Sequence, residues 1–354
     1  MPTKKNADPA TTQPDRRRLL GAGLAGFGLS LWPFGALRAD GALTFFRIGT
    51  GPTAETLYSL GTAISAGISR PPGSSPCDEG GICGVPGLIA VAQSRSGSIS
   101  GIQDLKNGLL DSALVHSDMA YWAHKGGGPF GAEGQVEDLR VIADLLPVSM
   151  HIIVRADSGI MSIRDLAGRT ISKGTMDSGT PRFVDVMLRF HGIEENDIHA
   201  VYLQHGSAAD QLIAGDIDAL FAMGGAPMDA VDELTEEMDI RFLPVEPTVL
   251  HFLRGFFPFL VGGEIPTNAY RGYDAVSTVN LGVQWVVRES QDAELVEAIT
   301  RALWQGTTAE LFNLNNPGHV FPTVEQGRPG RLVPMHPGAR AYYESLADHP
   351  AETG

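Results

Sequence analysis

The chain has 354 residues, 43% of them hydrophobic and 19% charged, enough apolar material for one or two globular domains. With 41 acidic against 26 basic residues its formal net charge is −15, which argues against nucleic acid or an anionic membrane as partner. Six of the basic residues and only two of the acidic ones lie in the first 39 positions, so the remainder is more acidic still.

Residues 1–39 read as an export signal. A polar leader ends in Arg16, Arg17 and Arg18, and the run from Leu19 to Leu37 carries no charge. Paired arginines before a glycine-diluted apolar run fit the twin-arginine type, with Ala39 as the last residue removed. A retained anchor is the competing reading, weakened by the glycines and by Pro33. Export implies a periplasmic protein with no membrane insertion after cleavage.

From residue 43 short apolar runs alternate with helical periodicity, the pattern of an α/β protein. "LTFFRIG" is a strand. The following helix, Glu55 to Ile68, sets Leu57, Leu60, Ile64 and Ile68 on one face. The next loop holds the two cysteines, Cys77 and Cys83. An oxidising compartment favours a structural disulfide over free thiols or half a metal site. "GLIAVAQS" is a strand, "SGSISGIQDLKNG" a short helix and "DSALVHSD" a buried strand, after which Ser117 or Asp118 can cap "MAYWAHKG". "LRVIADLL" is a strand, and "SMHIIVRADSGI" begins a second unit. There "RTISKG" is a strand, "PRFVDVMLRFHG" a helix with Pro181 at its start, and "HAVYLQ", "SAADQLIAG", "IDALFAMGG" and "APMDAVDELTEE" alternate strand and helix. "LKNGLLDSAL" and "LIAGDIDAL" echo one another: a helix-ending glycine, an acid, a buried strand. Two similar α/β lobes follow from this. "TVNLGVQWVVRES" and "DAELVEAITRALWQG" return the chain to the first lobe.

Each unit opens with a strand, a polar glycine loop and a helix: "RIGTGPTAET" and "TISKGTMDSGTPRF". Free N–H groups at a helix start, together with the helix dipole, attract anions. Gly49, Gly51 and Ala54 also fit G-x-G-x-x-A, a form of the dinucleotide fingerprint. The acid that should end the next strand is missing, since Asp78 and Glu79 fall in a Pro/Gly loop. An exported Rossmann-type oxidoreductase is therefore the weakest reading. No nucleophile elbow, H-E-x-x-H, Walker loop or C-x-x-C occurs, so no enzyme, cofactor or metal is expected. His116, Ser117 and Asp118 are adjacent and point different ways, which does not make a triad.

The motifs "IGTGPTAETLYSLGTAI", "GLLDSALVHSDMAYWAHKG", "HIIVRADSGIMSIRDLAGRTISKGTMDSGT", "GDIDALFAMGGAP" and "MHPGARAYYE", in this order, resemble the TAXI family. These are extracytoplasmic solute receptors of tripartite ATP-independent periplasmic (TRAP) transporters. The resemblance implies a type 2 (class II) periplasmic-binding-protein fold: lobe I from residues 41–147 and 278–354, lobe II from 148–277, a hinge, and a ligand cleft between. It implies a small organic anion as ligand (a dicarboxylate, an oxo acid or an acidic amino acid such as glutamate) and a membrane permease as partner. A sensor feeding a membrane kinase is the alternative on the same fold.

Matched to the family's ligand loops are Thr50, Gly51 and Thr53, with Tyr58 one turn into the helix; Ser117 and Asp118; and Ser178, Gly179 and Thr180, with Arg182 as a source of positive charge. Each has a plainer alternative. Thr53 can cap its helix, Tyr58 can be core, Asp118 can be a hydrogen-bond acceptor, and Arg182 can be a solvated helix residue.

Overall fold

The computed structural model describes residues 43–348, apart from residues 54, 55, 133 and 177. The export signal expected over residues 1–39 lies outside the described residues, as do Ala54 of the glycine motif and the N-cap region of the first helix. No helix among the described residues is long and apolar enough to cross a membrane.

The strands are β1 (Thr44–Gly49), β2 (Ser69–Arg70), β3 (Val85–Pro86), β4 (Leu88–Gln93), β5 (Ser112–His116), β6 (Leu139–Arg155), β7 (Thr170–Ser172), β8 (His199–Val201), β9 (Ala219–Gly224), β10 (Ile240–Phe242), β11 (Val261–Ile265) and β12 (Val276–Arg288). The helices are α1 (Thr56–Ile68), α2 (Ser98–Lys106), α3 (Ser117–Lys125), α4 (Thr180–Phe190), α5 (His205–Ala214), α6 (Asp229–Glu237), α7 (Pro247–Arg254), α8 (Ala293–Leu303), α9 (Thr307–Asn315) and α10 (Pro337–Asp348). All four apolar positions of α1 singled out by their spacing are buried: Leu57, Leu60, Ile64 and Ile68.

One sheet runs through the molecule in the order β4-β1-β5-β12-β6-β9-β7-β8, with β10 on β6 and β11 on β12. At one end β4, β1 and β5 are parallel; at the other β9, β7 and β8 are parallel. We name these ends lobe I and lobe II. Between them lie the two long strands β12 and β6, antiparallel to each other and to their neighbours. This is the α/β, strand-hinged architecture of the type 2 periplasmic-binding-protein fold.

The first half of β6 pairs with Gln284 to Arg288 of β12, and its second half with β9. The expectation that one strand ends before Pro147 and another begins after it is corrected here. A single strand passes through Pro147, which is exposed and lies opposite Gly282, where the ladder shifts register. Proline cannot donate to a ladder, and here the irregular pairing asks for no donor.

The echoed motifs do the same work in both lobes. Gly108 and Gly215 take left-handed backbone (φ 73° and 80°) just beyond a helix. Three residues on, Asp111 accepts from the backbone N–H of Arg47 at 2.7 Å and from its guanidinium, clamping β5 to β1. In the same way Asp218 accepts from the N–H of Thr170 at 2.9 Å and from Arg169, clamping β9 to β7. Gly49 is explained by packing, since a Cβ there would fall 2.4 Å from Leu110 Cδ1. Cys77 and Cys83 are joined in a disulfide on the loop between β2 and β3, with their Cα atoms 4.8 Å apart.

Candidate functional site

Parallel pairing sets Gly49 at the end of β1 beside Ala113 near the start of β5, so the loop after β1 leaves in the direction in which β5 runs on to α3. The loop after β1 and the start of α3 therefore share one edge of lobe I. Thr50 is buried, its N–H bonds the Gln93 carbonyl at 2.9 Å, and its hydroxyl is within reach of the Gly51 and Gln93 carbonyls. Its methyl group packs so closely on α1 that a Cβ at Gly61 would meet Thr50 Cγ2 at 2.3 Å. The Thr50 side chain thus faces α1. Gly51 is buried, with its carbonyl accepting from Ser94, while Thr53 is exposed and Tyr58 half-buried.

α3 begins at Ser117 with His116 in the cap position, so neither Ser117 nor Asp118 caps it, contrary to expectation. The reason is that β5 runs straight into the helix, and His116, still extended at φ −69° and ψ 145°, is the last non-helical residue. Ser117 Oγ instead accepts from the N–H of Gly282 on β12, at 3.2 Å. Asp118 is 1% exposed, and its Oδ1 accepts from the N–H of Met119 at 2.7 Å.

In lobe II the Ser178 hydroxyl donates to the Thr175 carbonyl at 2.8 Å. Gly179 is the N-cap residue of α4, Thr180 is buried in its first turn, and Pro181 sits where no N–H is needed. Arg182 is exposed, and its guanidinium lies 5.3 Å from the centre of the Trp122 ring.

The two lobes meet at Asp118 and Gly179. A Cβ on Gly179 would lie 2.0 Å from Asp118 Oδ2 and 3.2 Å from Met119 Cε, so only glycine admits this approach. Beside this meeting point Trp122 of α3 stacks on Phe183 of α4, and Phe257 and Phe259 close around it edge-on. Asp118, Gly179, Thr180 and Arg182 are therefore brought together, with Ser117 tied to the strand behind them. The side chains of Thr50 and Ser178 are committed to backbone carbonyls.

Burial pushes the Asp118 carboxyl up to about 7, against the opposing pull of its own helix amides and of Arg182. Burial, and then the neighbouring His205 of α5, push His116 down to about 4, so it is neutral beside the site. Sequence reasoning missed Trp122, His205 and Gly282. The glycine inside the strand pattern "TVNLGVQWVV" was the signal for the last. Among the described residues no group of three or more His, Cys, Asp or Glu is placed to hold a metal ion. A surface hollow of about 430 Å³ lined by Arg140, Glu289, Met335 and Arg340 lies at the other end of β6, where Arg140 and Glu289 already pair with each other.

A family model described as the NMT1-like family matches residues 48–345. The chain belongs to the NMT1-like family. Its matched span takes in every candidate residue above. Among solved structures, this NMT1-like protein is similar to the periplasmic aliphatic sulphonate binding protein SsuA from Escherichia coli, at 13% identity and TM-score 0.49 over 86% of this chain and 88% of that one. It is also similar to XAC2383 from Xanthomonas citri bound to ATP, at 13% identity and TM-score 0.46 over 86% and 96% of the two chains. An ancestral arginine-binding protein bound to arginine matches at 14% identity and TM-score 0.44 over 77% and 99%. The family match does not carry the tripartite-transporter assignment suggested by the motifs.

Proposed function

We propose that this protein is an exported solute-binding protein that closes two lobes on a small organic anion and presents it to a membrane permease. The observation that carries the reading is the meeting of α3 of lobe I with the N-terminus of α4 of lobe II, beside two strands that alone run through both halves of the sheet. Helix α4 offers amide donors, the Thr180 hydroxyl and the positive end of its dipole, with Arg182 one turn away. In so acidic a chain this is a local positive seat. The TAXI-like motifs favour a TRAP permease as recipient and a small carboxylate as ligand.

The test is a thermal-shift screen of the protein lacking residues 1–39 against dicarboxylates, oxo acids and amino acids, followed by calorimetry. A true ligand raises Tm with its concentration, by mass action. Thr180→Ala should then weaken binding by about 1 kcal/mol or more, the scale of a hydrogen bond to a charged group. No stabilising compound in the screen, or full affinity in Thr180→Ala, would count against the reading.

A further inference from the structure

The lobes also meet away from Asp118 and Gly179. Past α9 the chain turns through residues 316–321. Asn316 donates to Ser59 Oγ of α1 at 2.8 Å, and the N–H of Phe321 donates to Asn313 Oδ1 at 2.9 Å, so this turn is held to lobe I. Its tip rests on the loop between β9 and α6 of lobe II. A Cβ on Gly318 would lie 2.8 Å from Pro227 Cδ, and a Cβ on Gly225 would run into His319 Nε2. The His319 ring also stands edge-on to Phe312 of α9, with ring centres 6.3 Å apart.

Both ring nitrogens of His319 are buried and have no hydrogen-bond partner. Gly225 of lobe II, with no side chain to offer one, covers Nε2. A neutral imidazole has one N–H to donate and one lone pair to accept with. When the lobes part, Nε2 faces water and gains a partner; when they meet, it loses that partner. The closed contact is therefore costly at this residue and the open arrangement is not. Charge adds to the cost. Burial holds the ring below its ordinary value of 6.5. Asp229 at the start of α6 and the Pro317 carbonyl pull the other way, without making a hydrogen bond to the ring.

Resting on the binding reading above, we infer that His319 opposes closure of the lobes and so keeps the protein open until a ligand is bound. The ligand's contacts with the two lobes then offset the unpaired nitrogens, and the apparent affinity scales with the closed share. In the open protein the solvated ring takes up a proton near its ordinary value, and closure must shed it. Below about pH 6.5 acid therefore strengthens the opposition; above it only the unpaired nitrogens act. His116 and His205 respond to closure in the same sense, since burial lowers both. Asp118 responds in the opposite sense, since burial raises it. A comparison between the wild type and a His319 variant cancels these three.

The test follows the lobes directly, without ligand, in the protein lacking residues 1–39. Spin labels on Leu314→Cys of lobe I and Glu233→Cys of lobe II, both exposed positions, report the distance across this contact by pulsed electron resonance. Cys77 and Cys83 are tied in their disulfide and take no label. The wild type should show a short and a long distance, with the long one dominant. His319→Leu, apolar and of similar size, should raise the short-to-long ratio at pH 7.5 by about fivefold or more, the lower end of the cost of burying an unpaired polar group. From pH 7.5 to 5.5 the wild-type ratio should fall relative to that of His319→Leu by up to about tenfold, the effect of one proton taken up a pH unit below 6.5. His319→Gln, polar but without a titration, should match the wild type at pH 7.5 and lose the relative fall. Wild-type ratios in His319→Leu, or a wild type already closed, overturn this inference and leave the binding reading standing. So does a pH response that is the same in all three proteins. A single distance throughout, unmoved by every compound of the ligand screen, overturns both.

Discussion

Asp118 links the site to pH. In the unfolded chain its carboxyl ionises near the ordinary value of 3.8, whereas burial raises it to about 7 in the fold. As pH rises the unfolded state sheds this proton first, so Asp118 makes folding progressively less favourable between about pH 4 and pH 7. Above that window both states are ionised and the cost is constant. Arg182 faces it from α4, and the adjacent His116 stays neutral above about pH 4 in the fold. The melting temperature of Asp118→Asn relative to wild type should therefore climb from pH 4.5 to 7 and then level off. Titrations common to both proteins, including that of His116, cancel in the difference. A difference independent of pH would show that Asp118 is solvated in solution. At this scale the sequence was half legible. The motif marked residues 117–118, but not that Ser117 would serve the hinge strand or that Asp118 would face α4. That the Thr50 hydroxyl reaches the Gln93 carbonyl, 43 positions away, is not legible in the sequence, because the contact exists only once β1 pairs with β4.

The elements that matter most are α4 and the pair β6–β12. Gly179 has φ −74°, a conformation any residue adopts, so alanine there brings no backbone strain. Its Cβ would instead press on Asp118 Oδ2 from 2.0 Å. Gly179→Ala should leave the far-ultraviolet circular dichroism unchanged and weaken ligand binding, because the closed contact is what it obstructs. Wild-type affinity in this variant would place the ligand elsewhere. Strand and helix periodicity revealed most elements of both lobes, because their faces are half-buried and repeat cleanly. The hinge escaped it, because Pro147 ordinarily marks the end of a strand. The continuity of β6 depends on an irregular ladder with Gly282 of β12, a residue more than a hundred positions away. The repeated glycine and aspartate were legible as a pattern, and their meaning as interstrand clamps came only with parallel pairing.

Over the whole molecule, the charge balance and the site pull in opposite directions. A chain with net charge −15 repels anions at long range, a repulsion screened within about 10 Å at 0.1 M salt. Under the proposed reading the buried start of α4 acts at close quarters, where a dry contact strengthens it, with the exposed Arg182 beside it. Two strands join the lobes, and an aromatic seam around Trp122 bridges them beside Asp118 and Gly179, so under the proposed reading this seam parts when the lobes open about the strands. The central claim is that ligand is held between the lobes by closure at Asp118 and Gly179. Small-angle X-ray scattering tests it most directly, on the protein lacking residues 1–39, with and without the compound that most raises its Tm. The account predicts a ligand-free particle with a larger radius of gyration, which contracts on binding to the profile calculated from the arrangement described here. Saturated binding with an unchanged scattering curve would contradict it.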